Sequence, residues 1–447
     1  MNSVLALGAK ALSMAISLVC GVLTVRLVLG GAGVSYYALY SLLIALPSLF
    51  SYTDLGAGAA VVNAIAASDD PRHDPEVTAR LMSVGRILLG FSAGVMTLNV
   101  VLLLTSGWSV LFGDAGGLPN TNLAAFLCLT VFSIGIPVGI WVRVQLGLRR
   151  NHVVILLQSL ISPLTLLFVW LAMRMPQGQA WAFSAVGSYL ASFVVSVLGL
   201  ILTARATTPL VRSAVRVVLQ PRRHPGVRVM GVGWPMLAQL VAGAIAMSSQ
   251  RYVLAQSGTH ADVAEFGVAA QVFLALLALV MAAGTALWPQ YANKRHRGEL
   301  TKGPFLLSAL FAGGILVATT VIGLVNPWLF GLITDGKLQV STATIVCFGL
   351  MVALWGAVYP LGMFIMDEPG IRFQVAPALL MAGSTLLLSI VLTPHLGAIG
   401  PLLGNSFAVL AFQVIPFIFY IRRHRERLYS PTPKEPAAVV VDPTTAG

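Results

Sequence analysis

Two arginines stand inside apolar runs at matching places. "TVRLVLG" at Thr24–Gly30 carries Arg26, and "SQRYVLA" repeats the pattern 225 residues later with Arg251. A guanidinium keeps its charge at any physiological pH, and its planar fork meets phosphate or carboxylate oxygens two at a time. A charge inside a span is costly, so one that faces the interior points to function by default. Lys10 in the first apolar run and Asp54 in "YTDLGAG" are further charges within apolar segments. Arg26, Arg251 and Lys10 are therefore the candidate binders of an anionic substrate. Asp54 is the candidate for coupling to a proton or cation, or for pairing with a cavity base.

Each of these residues also has a reading without function. Arg26 and Arg251 lie four or five residues before their spans end, roughly 6–8 Å below the boundary at 1.5 Å per residue. A long side chain reaches the interface from there, as does Lys10 from the other end of its span. At 100° per residue Lys10, Ser13, Ser17, Cys20 and Thr24 share one small, polar face, and Arg26 points nearly opposite. Either Gly21 breaks the helix and re-aims its end, or Lys10 faces the cavity and Arg26 does not. Asp54 can instead cap a helix start, with Gly56 and Gly58 allowing a tight crossing. The amides Gln145, Gln158, Gln239, Gln271, Gln374, Asn99, Asn405 and Gln413 suit either sugar hydroxyls or interhelical bonding.

The elements that must hold these residues are membrane spans. The 447 residues are 57% hydrophobic and only 9% charged, against about a quarter charged in soluble chains. Runs of about 20 apolar residues, each able to cross a ~30 Å hydrocarbon core, centre near Met14, Leu43, Ala93, Ser133, Leu164, Ser192, Val241, Ala275, Leu310, Ala353, Thr385 and Ala411. The expected fold is an all-α integral membrane protein of about twelve transmembrane helices. Short loops such as "GGAG" after the first span join them, and no room is left for a separate soluble domain.

The net charge of +12 follows topology. With the N-terminus inside, all of the 27 Lys and Arg except Arg26, Arg174, Arg251, Lys337 and Lys10 fall in or beside inner loops. Both termini are therefore expected in the cytoplasm, with anionic membrane lipids as a natural partner and no nucleic acid. The longest inner connection divides the chain. Residues 1–204 form an N-terminal six-helix bundle, 205–227 a cytoplasmic linker, 228–421 a C-terminal six-helix bundle, and 422–447 a basic then disordered cytoplasmic tail. The gapless offset that places Gly8 on Gly233, Arg26 on Arg251 and Leu29 on Leu254 makes the bundles a parallel repeat. Prolines inside spans, among them Pro47, Pro137, Pro163, Pro360, Pro377 and Pro416, are kinks or hinges. Cys20, Cys128 and Cys347 read as packing residues, and Tyr36, Tyr37, Trp108, Trp181, Trp328 and Tyr420 as interface anchors.

Four stretches carry a family resemblance: "VRLVLGGAGVSYYALYSLL" at 25–43, "SYTDLGAGAAV" at 51–61, "QRYVLA" at 250–255 and "TPHLGAIGPLLGN" at 393–405. With the twelve-span plan, the chain resembles the polysaccharide flippases (O-antigen and exopolysaccharide translocases) of the multidrug/oligosaccharidyl-lipid/polysaccharide exporter superfamily. The resemblance implies two six-helix bundles set as a V around a cavity that opens alternately to each side. It also implies a polyprenyl-pyrophosphate-linked oligosaccharide as cargo, a bacterial inner membrane, and polysaccharide polymerase or glycosyltransferases as neighbours. The peptidoglycan-lipid branch carries cavity arginines where this chain has "SLVCG", and basic residues where it has "SLFSYTD". A peptidoglycan precursor is therefore disfavoured. The alternative is a cation-coupled multidrug antiporter of the same superfamily.

Enzymatic readings lack residues. A membrane glycosyltransferase needs acidic or His residues on an outer loop, and Thr105–Asn122, the longest, offers only Asp114. No Gly-rich phosphate loop is present, and no cofactor is called for. Flipping breaks no bond, and a pyrophosphate moving out of a negative interior gains ~2.3 kcal/mol per charge per 100 mV.

Overall fold

The computed structural model describes residues 2–50, 70–148, 150–174, 181–218, 234–285, 287–296 and 303–429, with isolated positions between them. Among the described residues there are helices and turns and no strand. Ten helices among the described residues are long and apolar enough to cross a membrane. The expected centres Met14 and Val241 fall outside those ten, yet both lie in helices, Asn2–Leu49 and Trp234–Ser257. The remaining ten centres fall inside them.

In chain order the principal helices are α1 (Asn2–Leu49), α2 (Pro75–Leu104), α3 (Thr121–Val138), α4 (Ile161–Met173), α5 (Ser184–Ala206) and α6 (Leu210–Val218). There follow α7 (Trp234–Ser257), α8 (His260–Thr285), α9 (Phe305–Leu324), α10 (Asn326–Thr334), α11 (Thr342–Phe364), α12 (Glu368–Leu396), α13 (Ile399–Val409) and α14 (Ile415–Arg423). Lipid offers the backbone no hydrogen-bond partner, so apolar spans close their bonds internally as helices. Leu104, Val317, Leu324 and Phe419 project outward and are exposed, as hydrocarbon-facing side chains must be.

α1 departs from the expected span–loop–span. "GGAG" is not a loop: Gly30, Gly31 and Ala32 remain helical, and only Gly33 leaves the helix, at φ 83° and ψ −178°. A side chain is strained in that region, so glycine is the residue that fits. The helix also runs through Gly21 without a break, so Gly21 does not re-aim its end. α1 is thus two arms meeting at one residue.

Proline shapes the last helix. A π turn, Leu410–Val414, directly precedes Pro416 on α14, where proline offers no N–H to the carbonyl one turn back. The basic start of the expected tail is tied to the bundle. Arg425–Tyr429 is a helical turn with Leu428 buried, and Arg295 Nε donates to the Leu428 carbonyl at 2.9 Å. Within the expected linker, α6 docks on α2.

The helices pack in two sets. α2 packs on α3, α3 and α4 on α5, and the first arm of the chain on α4; in the second set α7 packs on α12, α9 and α8 on α11, and α12 on α13. Between the sets runs a seam where α1 meets α7, α8 and α10.

Candidate functional site at the seam between two helix sets

Both sequence-matched arginines lie on this seam, and each reaches into the opposite set. Arg26, on the first arm of α1, donates from Nη2 to Asp335 Oδ1 at 2.5 Å. Asp335 follows α10 in a left-handed conformation, φ 56°, and Gly336 continues it at φ 71°. That turn delivers Lys337, whose Nζ donates to the Gly30 carbonyl at 2.9 Å. One three-residue turn therefore holds the first arm by a side chain and by its main chain.

Arg251, on α7, donates from Nη1 to the Ser41 carbonyl on the second arm at 2.9 Å. Its guanidinium stands 5.9 Å from the centre of the Phe266 ring, a cation–π distance. Beside it Tyr252 donates its hydroxyl to the Leu42 carbonyl at 3.2 Å. Among the described residues no carboxylate pairs with Arg251, although its side chain is partly buried. Arg26 and Arg251 thus share a seam but not an environment.

Further contacts extend the closure. Gln256 donates to the Val110 carbonyl, and the Ser48 and Ser248 hydroxyls meet at 2.7 Å. From Gly33 to Ser48 the second arm covers roughly 22 Å at 1.5 Å per residue. The bonds at Ser41, Leu42 and Ser48 lie along that length, and those at Arg26 and Gly30 lie on the first arm.

The other two candidates fall outside what the structure describes. Asp54 lies outside the described residues, and Lys10 rides on α1 with its side chain outside them. The polar face that Lys10 was expected to share turns toward its own set at Ser17, whose hydroxyl accepts from Ser162 Oγ at 3.0 Å.

A cavity of about 350 Å³ opens within the N-terminal set, between the second arm of α1, α3 and α5. Ser188, Ser192 and Ser196 line it, spaced by four and so on one helical face. Tyr40 Oη lies 3.3 Å from Ser188 Oγ, and Tyr189 Oη donates to the Leu43 carbonyl at 2.5 Å. This hydroxyl row escaped the sequence reading; its signal was the period of four in an otherwise apolar span.

Three of the amides bond between helices. Gln145 Nε2 donates to Thr203 Oγ1 at 2.9 Å, Gln239 Nε2 to the Ile371 carbonyl at 3.0 Å, and Asn99 Nδ2 to the Phe126 carbonyl at 2.9 Å. Tyr37 and Trp108, expected as interface anchors, are instead buried, with Trp108 stacked on Phe112. Their rings fill gaps where helices cross, which removes more apolar surface than an interfacial position would. The three cysteines are free, and no group of His, Cys, Asp or Glu among the described residues is arranged for a metal.

No protein-family model matches the chain, and no curated protein is similar to it in sequence. Solved structures are similar in fold. A lipid II flippase, MurJ, in an inward closed conformation aligns with a TM-score of 0.66 at 14% identity, over 94% of this chain and 87% of that one. An inward-facing multidrug resistance MATE family transporter of the MOP superfamily aligns at 0.63, 16% identity, over 95% and 98%. An outward-facing transporter of that description aligns at 0.57, 16% identity, over 95% and 96%. These neighbours are transporters and flippases rather than enzymes, and the chain has their multi-pass helical fold over nearly its whole length.

Proposed function

We propose that this chain is a flippase that moves a polyprenyl-pyrophosphate-linked oligosaccharide across the bacterial inner membrane by alternating access. In this reading residues 1–204 and 228–421 are two six-helix halves joined by 205–227, and both termini are cytoplasmic. The observation that carries it is Arg251: a cation on the seam whose only hydrogen-bond partner among the described residues is a carbonyl. Four of its five N–H donors are left for an anion. A pyrophosphate arriving between the halves would supply the missing charge. Arg26, whose carboxylate partner is in place, belongs to the closure and becomes available when that closure opens.

With Gly33 on the outer side, the sealed seam is an outer gate and the halves part toward the cytoplasm. The TM-scores of 0.63 for the inward-facing and 0.57 for the outward-facing transporter agree with that state. The likeness to a lipid II flippase supports a lipid-linked cargo. The likeness to multidrug transporters supports the second reading, a cation-coupled antiporter, for which Asp54 is the coupling candidate.

The test is translocation of a lipid-linked oligosaccharide in vesicles, at matched expression, for Arg251→Lys, Arg26→Lys, Lys10→Gln and Asp54→Asn. A charge-assisted contact contributes roughly 1.5–3 kcal/mol, so Arg251→Lys should slow flipping about ten- to a hundredfold. Wild-type rates in Arg251→Lys would sink the pyrophosphate assignment. Loss of pH dependence in Asp54→Asn, together with ion-driven drug efflux, would favour the antiporter.

A further inference from the structure

The second cavity lies away from the seam. α6 carries Leu210, Val211 and Ala214 on a buried face, while Arg212 and Arg216, one turn apart, are exposed. It lies where α5 ends and rests on the first turns of α2. Arg86 of α2 fastens it there, donating from Nε to the Val218 carbonyl at 2.8 Å and from Nη2 to the Val217 carbonyl at 3.2 Å. These are carbonyls that a helix C-terminus leaves without an intrahelical partner. α6 is thus an amphipathic helix held at the membrane boundary, basic on its free side.

The docking is incomplete. Between α6 and the ends of α2, α3 and α5 remains a cleft of about 210 Å³ whose lining is almost wholly aliphatic, including Leu81, Leu89, Val138, Leu200 and Val215. Val215 is an exposed side chain at its rim. An aliphatic cleft offers water no hydrogen-bond partners, so an apolar chain fits it better.

We propose that this cleft holds one acyl chain of an anionic diacyl phospholipid, with its phosphate against Arg212 and Arg216. Charge selects the headgroup. α6 has no acidic residue, and the nearby acids of the α2 start are engaged: Asp70 with His73, Asp74 with the cap of α2, and Glu76 with Arg80. The same lipid would staple the connection between the two helix sets to the first of them, independently of what the seam transports.

The test is lipid retention on the purified full chain, read by native mass spectrometry. Phosphatidylglycerol and phosphatidylcholine with identical chains are offered in parallel, with inorganic phosphate alone as a third arm. At about 1 kcal/mol per basic residue, phosphatidylglycerol should be retained about tenfold or more over phosphatidylcholine. Arg212→Gln with Arg216→Gln should abolish that preference while one lipid still binds. Gly85→Leu should abolish retention of both, because a Cβ at Gly85 meets only Val218 Cγ2, at 3.4 Å, and so grows into the cleft. Equal retention of the two lipids by the wild type, or unchanged retention in both variants, would overturn the site. Retention of phosphate alone would overturn the lipid and leave an anion site without a chain.

Discussion

Gly267 of α8 crosses Ser41 of α1 so closely that a methyl in place of its hydrogen would stand 2.9 Å from the serine Cβ. Small residues let spans approach where larger ones hold them apart, and here the two spans belong to different sets. Gly267→Leu should therefore wedge the seam open. Overpacking costs about 1–3 kcal/mol, enough to raise thiol labelling of Ser248→Cys about five- to a hundredfold. Unchanged labelling would show that the seam yields elsewhere.

The Arg26–Asp335 pair should matter less than its geometry implies. Both side chains are solvent-accessible, 39% and 59%, and exposed pairs contribute about 0.2–1 kcal/mol. In a double-mutant cycle of Arg26→Gln and Asp335→Asn, seam opening read by the same labelling should show a coupling of that size. The coupling should fade in 1 M salt, where charges are screened within about 3 Å. Coupling well above this range would place the pair in a drier setting.

Asn405 is an interhelical tie. It is buried, accepts from Trp355 Nε1 at 3.0 Å and donates to Thr385 Oγ1 at 3.3 Å, so it joins α11, α12 and α13. Asn405→Leu should destabilise the protein by about 0.6–1.7 kcal/mol, measured by unfolding in mild detergent. Its transport rate at matched folded protein should stay at the wild-type level, which a sugar-binding amide would not allow.

Asp74 gives α2 a pH-dependent start. Its carboxylate accepts from the Ser68 hydroxyl and from the Glu76 and Val77 N–H groups, which hold its pKa below the usual carboxylate range. A depressed folded pKa means that its stabilisation is present above the unfolded value of about 3.9 and is lost as pH falls through the folded one. Asp74→Ala should melt at a lower temperature than wild type at pH 7, with the gap closing in acid. Asp74→Asn, which keeps a cap, should lie between them at pH 7. A gap constant with pH would count against the cap.

The helices were legible because hydropathy alone dictates them: a span without water must be helical, whatever its residues prefer. The same rule undid the reading of Gly30 to Gly33. Gly30 and Gly31 favour a loop in water, yet they stay helical where the backbone otherwise has no partner, and only Gly33 departs. At the site, the alignment of Arg26 with Arg251 singled out two residues that the structure finds on one seam, but gave no sign that only Arg26 has an acid beside it. That difference rests on Asp335, more than 300 residues from Arg26 in the chain, which no local pattern connects to it. The serines of α5 were passed over because a hydroxyl can bond its own helix, as Ser192 does to the Ser188 carbonyl, so a polar residue type alone does not announce a lining.

The two arms of α1 are joined through a single swivel at Gly33, with no slack on either side. A flexible tether would let one arm move while the other waited. Here a change in the angle between the arms falls on one pair of dihedral angles, so that pivot alone separates the first-arm contact at Lys337 from the second-arm contact at Arg251. α1 thus has the shape of a crank, with its elbow at a residue that carries no side chain.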